Sequence, residues 1–161
     1  MDRLKARAEW LLSNEVPFVM LGDYNVCPTD ADCFDRDAME GDAVVHAESR
    51  SKFRSIVNLG LTDALDVANA LRAEGSGAKG KQIKGKGQFT YWGYKGNMLS
   101  TNSGLRIDHI LLSPQAADVM VDCGVHKDVR TWERPSDHAP VWVRLHTQIR
   151  HRNLGQGGQG M

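Results

Sequence analysis

The sequence has no long apolar run, no surplus of charge of either sign and few cysteines. None of its segments approaches the roughly 20 consecutive apolar residues of a membrane span, and its first residues lack the apolar core of a secretory signal. Twenty basic residues balance twenty acidic ones, so any basic surface for nucleic acid must be local. These absences predict a soluble, cytoplasmic protein without a membrane partner.

Two common kinds of reactive site are also missing from the sequence. The three cysteines, Cys27, Cys33 and Cys123, form no CxxC pair, which predicts reduced structural thiols and not a disulfide framework or a zinc site. The histidines lack the short ligand spacing that zinc prefers, and no GxSxG motif of a serine hydrolase occurs. The chemistry of the chain must therefore use other side chains.

The hydrophobic pattern predicts a single α/β domain with a sizeable core. Apolar residues at helical spacing indicate helices, and short apolar or β-branched runs indicate strands. The predicted helices cover residues 2–14, 49–59, 63–73 and 114–121; the predicted strands cover 16–21, 88–94, 105–112 and 141–145, with 124–130 a further strand or extended segment.

Three polar stretches are predicted to lack regular structure. Residues 28–42 are acidic and typical of a long loop. Residues 75–87 combine glycines with lysines, and a solvated loop explains them at least as well as an electrostatic arm for nucleic acid. The Gly- and Gln-rich end predicts a domain over residues 1–147 and a disordered tail over 148–161.

An acid and an imidazole stand side by side at Asp137 and His138. Pro135 and Pro140 bracket the pair and disfavour helix, which predicts a rigid loop entering the last strand. Taken alone, the pair is more often an exposed surface turn than a reaction centre.

Polar residues at two further places in the sequence strengthen the interpretation of Asp137 and His138 as part of a reaction centre. Asp23 and Asn25 follow the first predicted strand, which we expect to be buried with an open carboxyl end, where ligands collect in open α/β sheets. Asp108 interrupts an apolar strand, on one face with Arg106, and a carboxylate there is costly unless it is paired. Carboxylates with one imidazole and one amide suit Mg²⁺ and phosphate chemistry.

Five sequence blocks then resemble, in order, those of the exonuclease III family of the endonuclease/exonuclease/phosphatase superfamily. These blocks are residues 22–25 (GDYN), 60–63 (GLTD), 89–94 (FTYWGY), 104–108 (GLRID) and 136–141 (SDHAPV). Five ordered matches are far more specific than any single one.

The resemblance implies roles for the polar residues. Asp23 would activate the attacking water, and Asn25 would hold that water or a phosphate oxygen. His138 would donate to the scissile phosphate, with Asp108 as the carboxylate partner of its imidazole. Mg²⁺ or Mn²⁺ would be held by Asp23, Asn25 and Asp137, the last as a ligand or an outer-shell group.

The resemblance also implies residues that contact the substrate. Tyr91, Leu105 and Ile107 match apolar residues that accept a sugar without a base, and Arg106 and Asn102 are expected beside them. Ordinary strand core is the alternative for these apolar residues, and for Ile107 the two explanations are equal.

The front of the chain departs from the family pattern. Family members begin with an Asn-bearing strand and a strand ending in a metal-binding Glu, and a catalytic Tyr follows, whereas only 22 residues precede Asp23 here. We therefore expect the C-terminal half of a two-sheet α/β sandwich, the DNase I-like fold, with the N-terminal half and the main metal ligand missing. An apolar sheet face would be left exposed, favouring contact with that missing half or self-association.

By resemblance, the function is that of a DNA-repair nuclease that hydrolyses phosphodiesters of double-stranded DNA at abasic sites and 3′ ends, impaired or inactive as this chain alone. The alternative is a non-catalytic fragment with at most weak binding of DNA or a partner, through Lys79, Lys81, Lys84 and Lys86. A phosphomonoesterase or a sphingomyelinase-like lipid hydrolase would use a similar centre, but the blocks at 89–94 and 104–108 favour DNA.

Overall fold

The computed structural model of the protein describes residues 1–75 and 88–146. The lysine-rich loop was predicted over residues 75–87; Gly75 is instead the last residue of the third helix, and residues 76–87 lie outside the described residues, as does the predicted tail over 148–161. The helices are α1 (Asp2–Ser13), α2 (Ala47–Val57), α3 (Ala64–Gly75) and α4 (Pro114–Ala117), with 3₁₀ turns at Asp30–Asp32, Ala43–Val45 and Lys127–Thr131. The strands are β1 (Val19–Asp23), β2 (Thr62–Asp63), β3 (Asp108–Leu112), β4 (Met120–Val125) and β5 (Val141–Leu145). Of the described helices, none is long and apolar enough to cross a membrane.

Two antiparallel sheets organise these elements, which confirms the α/β class. The first has the strand order β1-β3-β2 and the second pairs β4 with β5. In the first sheet Asp23 lies opposite Asp108 and Leu21 opposite Ile110. Because opposed residues in a ladder point to the same side of a sheet, both carboxylates project from one face.

Apolar side chains of β3 alternate between two core clusters. Leu111 packs with α1 and α2, whereas Ile110 and Leu112 pack with α3 and the second sheet. The first cluster contains Ala8, Met20, Tyr24, Phe53 and Ile56, and the second contains Leu65, Ala68 and Cys123. Successive residues of a strand point to opposite faces, so β3 is the central strand against which both layers pack.

Strand β1 is less buried than predicted. We expected a buried strand over residues 16–21, but β1 begins at Val19 and the side chain of Leu21 is 69% exposed. In the described part of the chain, β1 pairs only with β3 and is thus an edge strand. An exposed apolar residue on an edge strand is unusual, because edges invite pairing with another chain.

Several predicted bounds were wrong, each for an identifiable reason. No strand forms over 88–94, because its backbone is divided between two partners: Tyr91 bridges both Leu105 and His138. The short helix ends at Ala117 and not at 121, since β4 starts at Met120. The segment 124–130 divides between the end of β4 and a 3₁₀ turn. The helices near 2–14, 49–59 and 63–73 and the last strand are confirmed.

The three cysteines are free and buried, as predicted. Cys27 and Cys33 lie in a small cluster with Val45, Leu105 and Ile107, and Cys123 lies beneath α3. Burial raises the pKa of Cys27 to about 12 and that of Cys123 to about 11. These thiols therefore act as small apolar side chains.

Candidate active site

Asp23 and Asn25 form a compact turn where β1 ends. One carboxylate oxygen of Asp23 accepts the backbone N–H of Asn25 at 2.8 Å, and the other accepts its side-chain amide at 3.1 Å. Asn25 has a φ of 51°, a left-handed conformation that Asn tolerates better than most residues. The turn thus fixes the carboxylate and the amide beside each other.

Asp108 and His138 form the second half of the site. Nδ1 of His138 lies 2.9 Å from Oδ2 of Asp108, with the two side chains 31% and 18% exposed. An ionised carboxylate only accepts hydrogen bonds, so Nδ1–H of His138 is the donor whenever Asp108 is ionised. The carboxylate that interrupts the apolar strand is therefore paired, and the predicted Asp108–His138 contact is confirmed.

Backbone hydrogen bonds hold residues 135–140, the His138 loop, against the 90–92 segment. Trp92 N–H donates to the Asp137 carbonyl at 2.9 Å, and the ring of Tyr91 lies edge-on to His138 with centroids 5.1 Å apart. Pro140 then leads directly into β5. The loop is fixed, as the two prolines indicated, although much of its rigidity comes from a segment 45 residues earlier in the chain.

Arg130 and Tyr94 hold the first residues of that loop. The Arg130 guanidinium donates to the carbonyls of Ser136 and Trp92, the latter at 2.6 Å, and the Tyr94 hydroxyl donates to the Pro135 carbonyl at 2.8 Å. Arg130 is buried, and the two terminal nitrogens of its guanidinium hold these carbonyls. Sequence reasoning assigned neither residue, because the contacts depend on how the loop folds.

Asp108 and His138 line a cavity of about 610 Å³. Its remaining wall is largely apolar and includes Leu21, Trp132 and Val141. Asp23 lies opposite Asp108 on the same face of the sheet, at the neighbouring end of β1. Asp23 lines a separate cavity with Leu4, Met20 and Tyr24. The structure thus places the Asp23 carboxylate next to the Asp108–His138 pair on one face of the sheet, and the joint action of the three groups stays a prediction.

The oxygen donors fit a divalent cation only in part. Within residues 1–75 and 88–146 no three side chains of His, Cys, Asp or Glu come together as a metal cluster. Asp23 and Asn25 offer adjacent oxygen donors, while Asp108 is committed to His138. Asp137 is half-buried on the His138 loop. Mg²⁺ is commonly held by one or two carboxylates with water and substrate phosphate, so Asp23 is a sufficient anchor only with such outside ligands.

The predicted substrate contacts divide into three groups. Tyr91 borders the site through its contact with His138. Leu105 and Ile107 are 5% and 3% exposed and pack in the cluster with the cysteines, which favours the strand-core explanation. Asn102 accepts a hydrogen bond from Lys127 at 2.6 Å.

Arg106 was placed wrongly, both as a substrate contact and on one face with Asp108. Its guanidinium is buried and pairs with Asp32 at 2.5 Å, Asp63 at 3.0 Å and Asp66 at 2.9 Å. Residue 106 precedes β3, so the alternation of the strand does not extend back to it. Arg106 and Asp108 therefore serve separate structures.

His109 completes this buried charge network. Its Nδ1 lies 3.1 Å from Asp63 and its Nε2 lies 2.9 Å from the Val26 carbonyl. Burial raises the pKa of the Asp63 carboxyl, but the His109 hydrogen bond and the Arg106 charge outweigh burial and hold that pKa below its usual range. The GLTD block contains Asp63, yet nothing in its sequence indicates that Arg106 and His109 are its partners.

Comparison with known proteins gives a consistent result. A profile of the endonuclease/exonuclease/phosphatase family matches residues 1–138. The chain is 31% identical over 135 residues to an exodeoxyribonuclease III from Haemophilus influenzae, covering 80% of this chain and 46% of that protein. It is 28% identical over 127 residues to a DNA-(apurinic or apyrimidinic site) endonuclease from Dictyostelium discoideum, covering 79% of this chain and 31% of that protein.

Solved structures resemble the fold closely. The 3′-5′ exonuclease NExo from Neisseria meningitidis superposes with a TM-score of 0.75 at 34% identity, over 88% of this chain and 50% of that one. An AP endonuclease from Archaeoglobus fulgidus gives a TM-score of 0.77 at 24% identity, over 91% of this chain and 52% of that one, and supports the fold alone. The chain spans about half the length, or less, of the relatives it matches.

Proposed function

The chain belongs to the endonuclease/exonuclease/phosphatase family, and on that premise we propose that it is a DNA-repair nuclease that hydrolyses phosphodiesters at abasic sites and 3′ ends. Its DNase I-like α/β fold agrees with that of the solved relatives. The observation that carries the proposal is the hydrogen bond between Asp108 and His138 on the sheet face from which Asp23 projects.

The proposed chemistry assigns a separate task to each side chain. Asp108 holds the Nδ1 proton of His138, so Nε2 is the nitrogen available to a substrate phosphate. Asp23 accepts two hydrogen bonds from Asn25 and, as a carboxylate with about four acceptor positions, retains capacity to take a proton from water. Attack by that water on phosphorus, with His138 facing the phosphoryl group, would form one P–O bond and break the P–O bond to the leaving sugar oxygen. Asp23 would take a proton from the attacking water, and the leaving oxygen would take one from solvent.

We include Mg²⁺ or Mn²⁺ in the proposal, with Asp23, Asn25 and Asp137 as the protein groups that could hold it. The ion would polarise a phosphoryl oxygen as a Lewis acid. Because the described residues contain no three-residue cluster, we expect weak ion binding that strengthens when DNA phosphate and water complete the coordination.

DNA is favoured as the substrate by the relatives themselves. The matched proteins are an exodeoxyribonuclease and apurinic or apyrimidinic site endonucleases, and a 3′ phosphatase NExo structure, 32% identical with a TM-score of 0.73, contains a product DNA hairpin. Tyr91, beside His138, is the residue we propose to contact the sugar at the lesion.

A second candidate is a chain that binds DNA or a partner without cleaving DNA by itself. Two observations favour it: the incomplete set of cation ligands in the described residues, and the exposed Leu21 on edge strand β1 beside the candidate site. A partner polypeptide that covered this apolar face could also supply the missing ligand.

One experiment separates these candidates. Nicking of an end-labelled duplex with a single abasic site is measured with Mg²⁺, for the chain alone and mixed with a separately expressed N-terminal half of a relative. EDTA and an intact duplex are the controls, and a duplex with a 3′-phosphate reports phosphatase activity. Mg²⁺-dependent cleavage in either arm supports a nuclease, and cleavage by the chain alone removes the second candidate. No cleavage in either arm contradicts the proposed function.

A further inference from the structure

Thr90 joins the two segments that carry Asp108 and His138. It lies in the 89–94 block, four residues in sequence from Tyr94 and outside any strand, and it is fully buried. No role follows from its sequence, because a threonine in an apolar stretch is usually a β-branched core residue. Its contacts in the folded protein are of a different kind.

On one side, the hydroxyl of Thr90 holds the start of β3. Its Oγ1 accepts the backbone N–H of Ile107 and that of Asp108, each at 3.1 Å. The same hydroxyl donates to the Leu105 carbonyl at 3.5 Å. A threonine hydroxyl has two acceptor positions and one donor, so all three are used on this short segment.

On the other side, the backbone of Thr90 holds the His138 loop. Its carbonyl accepts the N–H of Ala139 at 2.7 Å, next to His138. Its own N–H donates to Leu105 at 2.8 Å, which ties the 90–92 segment to the segment before β3. Thr90 is therefore in direct contact with a neighbour of each member of the Asp108–His138 pair.

We propose that Thr90 is a positioning residue that sets the Asp108–His138 hydrogen bond, a proposal that rests on the proposed function for its catalytic meaning. Asp108 is the first residue of β3, where the ladder begins, so its orientation depends on what holds its N–H. Two amides that converge on one buried oxygen fix the backbone at Ile107 and Asp108 against rotation. The Asp108 carboxylate then contacts the His138 imidazole, and the loop that carries His138 is itself hydrogen-bonded to Thr90 through Ala139.

The matched variants are Thr90→Val, which keeps the shape and removes the hydroxyl, and Thr90→Ser, which keeps the hydroxyl and removes a methyl group. The readout is the Nδ1 proton of His138 in ¹⁵N-histidine spectra, assigned by its loss in His138→Asn. In the wild type we expect the hydrogen bond to Asp108 to protect this proton from exchange. Thr90→Val should speed its exchange by about tenfold or more, because a hydrogen bond that is seldom formed gives little protection. Thr90→Ser should retain the signal.

Two further measurements separate positioning from general stability. Backbone amide spectra and thermal unfolding show whether each variant is folded, and Thr101→Val, at an exposed hydroxyl, is the control substitution. If Thr90→Val does not fold, Thr90→Ala removes the same hydroxyl without placing a methyl group against the two amides. In a preparation that cleaves DNA, loss of the hydroxyl should lower kcat about tenfold or more and leave KM within about twofold, since alignment in the reacting state is what is lost.

Unchanged exchange of the His138 proton in a folded variant without the hydroxyl would overturn the proposal. Equal loss in Thr90→Ser would also overturn it, because packing of the methyl group would then be the cause. The spectra do not require nuclease activity. A wild-type protein that fails to cleave DNA therefore counts against the proposed function and leaves this result standing.

Discussion

The imidazole of His138 and the carboxylate of Asp108 are joined by a 2.9 Å hydrogen bond, although the residues are 30 positions apart in the chain. Asp108 begins β3 of the first sheet, and His138 lies in the loop before β5 of the second. The pair thus spans the junction of the two sheets, where both residues line a cavity of about 610 Å³. Its chemistry depends on both sheets being in place.

Replacing His138 by Ala should abolish most of the DNA cleavage. We expect a loss of about 10² to 10⁴-fold in rate, the usual contribution of a positioned acid or base. The assay is the abasic-site nicking assay in whichever arm the wild type is active. His146→Ala is the control, because that exposed histidine lies at the far end of β5. Equal activity of the two variants would remove His138 from the site.

Replacing Arg106 by Met should destabilise the fold. The change leaves the buried carboxylates of Asp32 and Asp63 without their cation, which typically costs about 3–5 kcal/mol. Urea unfolding measures the free energy of unfolding, and Arg144→Met on the exposed side of β5 should change it by less than about 0.5 kcal/mol. Full stability with weakened DNA binding would instead restore Arg106 as a substrate contact.

The stability of the protein should fall in acid through Asp63. The pKa of this carboxyl is lower in the folded protein than the unfolded value of about 3.9, so ionised Asp63 stabilises the fold. That contribution is complete above about pH 4 and is lost as the pH falls through the folded-state value. Thermal unfolding between about pH 2 and 6 should show this slope below about pH 4 and a plateau above it. Asp63→Asn should flatten it, and the exposed Asp118→Asn should not. The same slope in all three proteins would exclude Asp63 as its cause.

The native protein should resist thiol reagents. Burial raises the pKa of Cys27 to about 12 and that of Cys123 to about 11, and it raises the pKa of Cys33 as well, so little thiolate is present at pH 8. A thiol-reactive chromophore should label the folded chain slowly and label all 3 cysteines in denaturant. Ser100→Cys, at an exposed position, should add one rapidly labelled thiol. Rapid labelling of the unmodified folded protein would contradict the described burial.

Local patterns predicted the helices well and the strands less well. The apolar spacing of α1, α2 and α3 is a property of consecutive residues, so those helices are confirmed within two residues at every end. Strand bounds depend on the partner strand. The segment 88–94 has a strand-like composition, but its hydrogen bonds are divided between the residues before β3 and the His138 loop, so no continuous ladder forms.

The sequence predicted the residues of the candidate site better than the residues that hold them in position. Asp23, Asn25, Asp108 and His138 are polar residues at strand ends or loops, where composition alone marks them as unusual. Composition does not single out Thr90, Arg130 or the Asp63–His109 contact. The role of a buried polar residue becomes visible only when its hydrogen-bond partners are known. Those partners lie at sequence separations that a local pattern does not encode.

The sequence by itself determined which chemical groups are available and the order in which they occur, because residue type and spacing are local properties. It also indicated that Asp108 needs a partner, since an unpaired carboxylate in an apolar strand is costly. Only the tertiary structure decided that the partner is His138, and that Arg106, two residues before Asp108, turns to Asp32 and Asp63 instead. Strand register and the start of β3 at Asp108 set these directions, and both are fixed by contacts between segments distant in the chain.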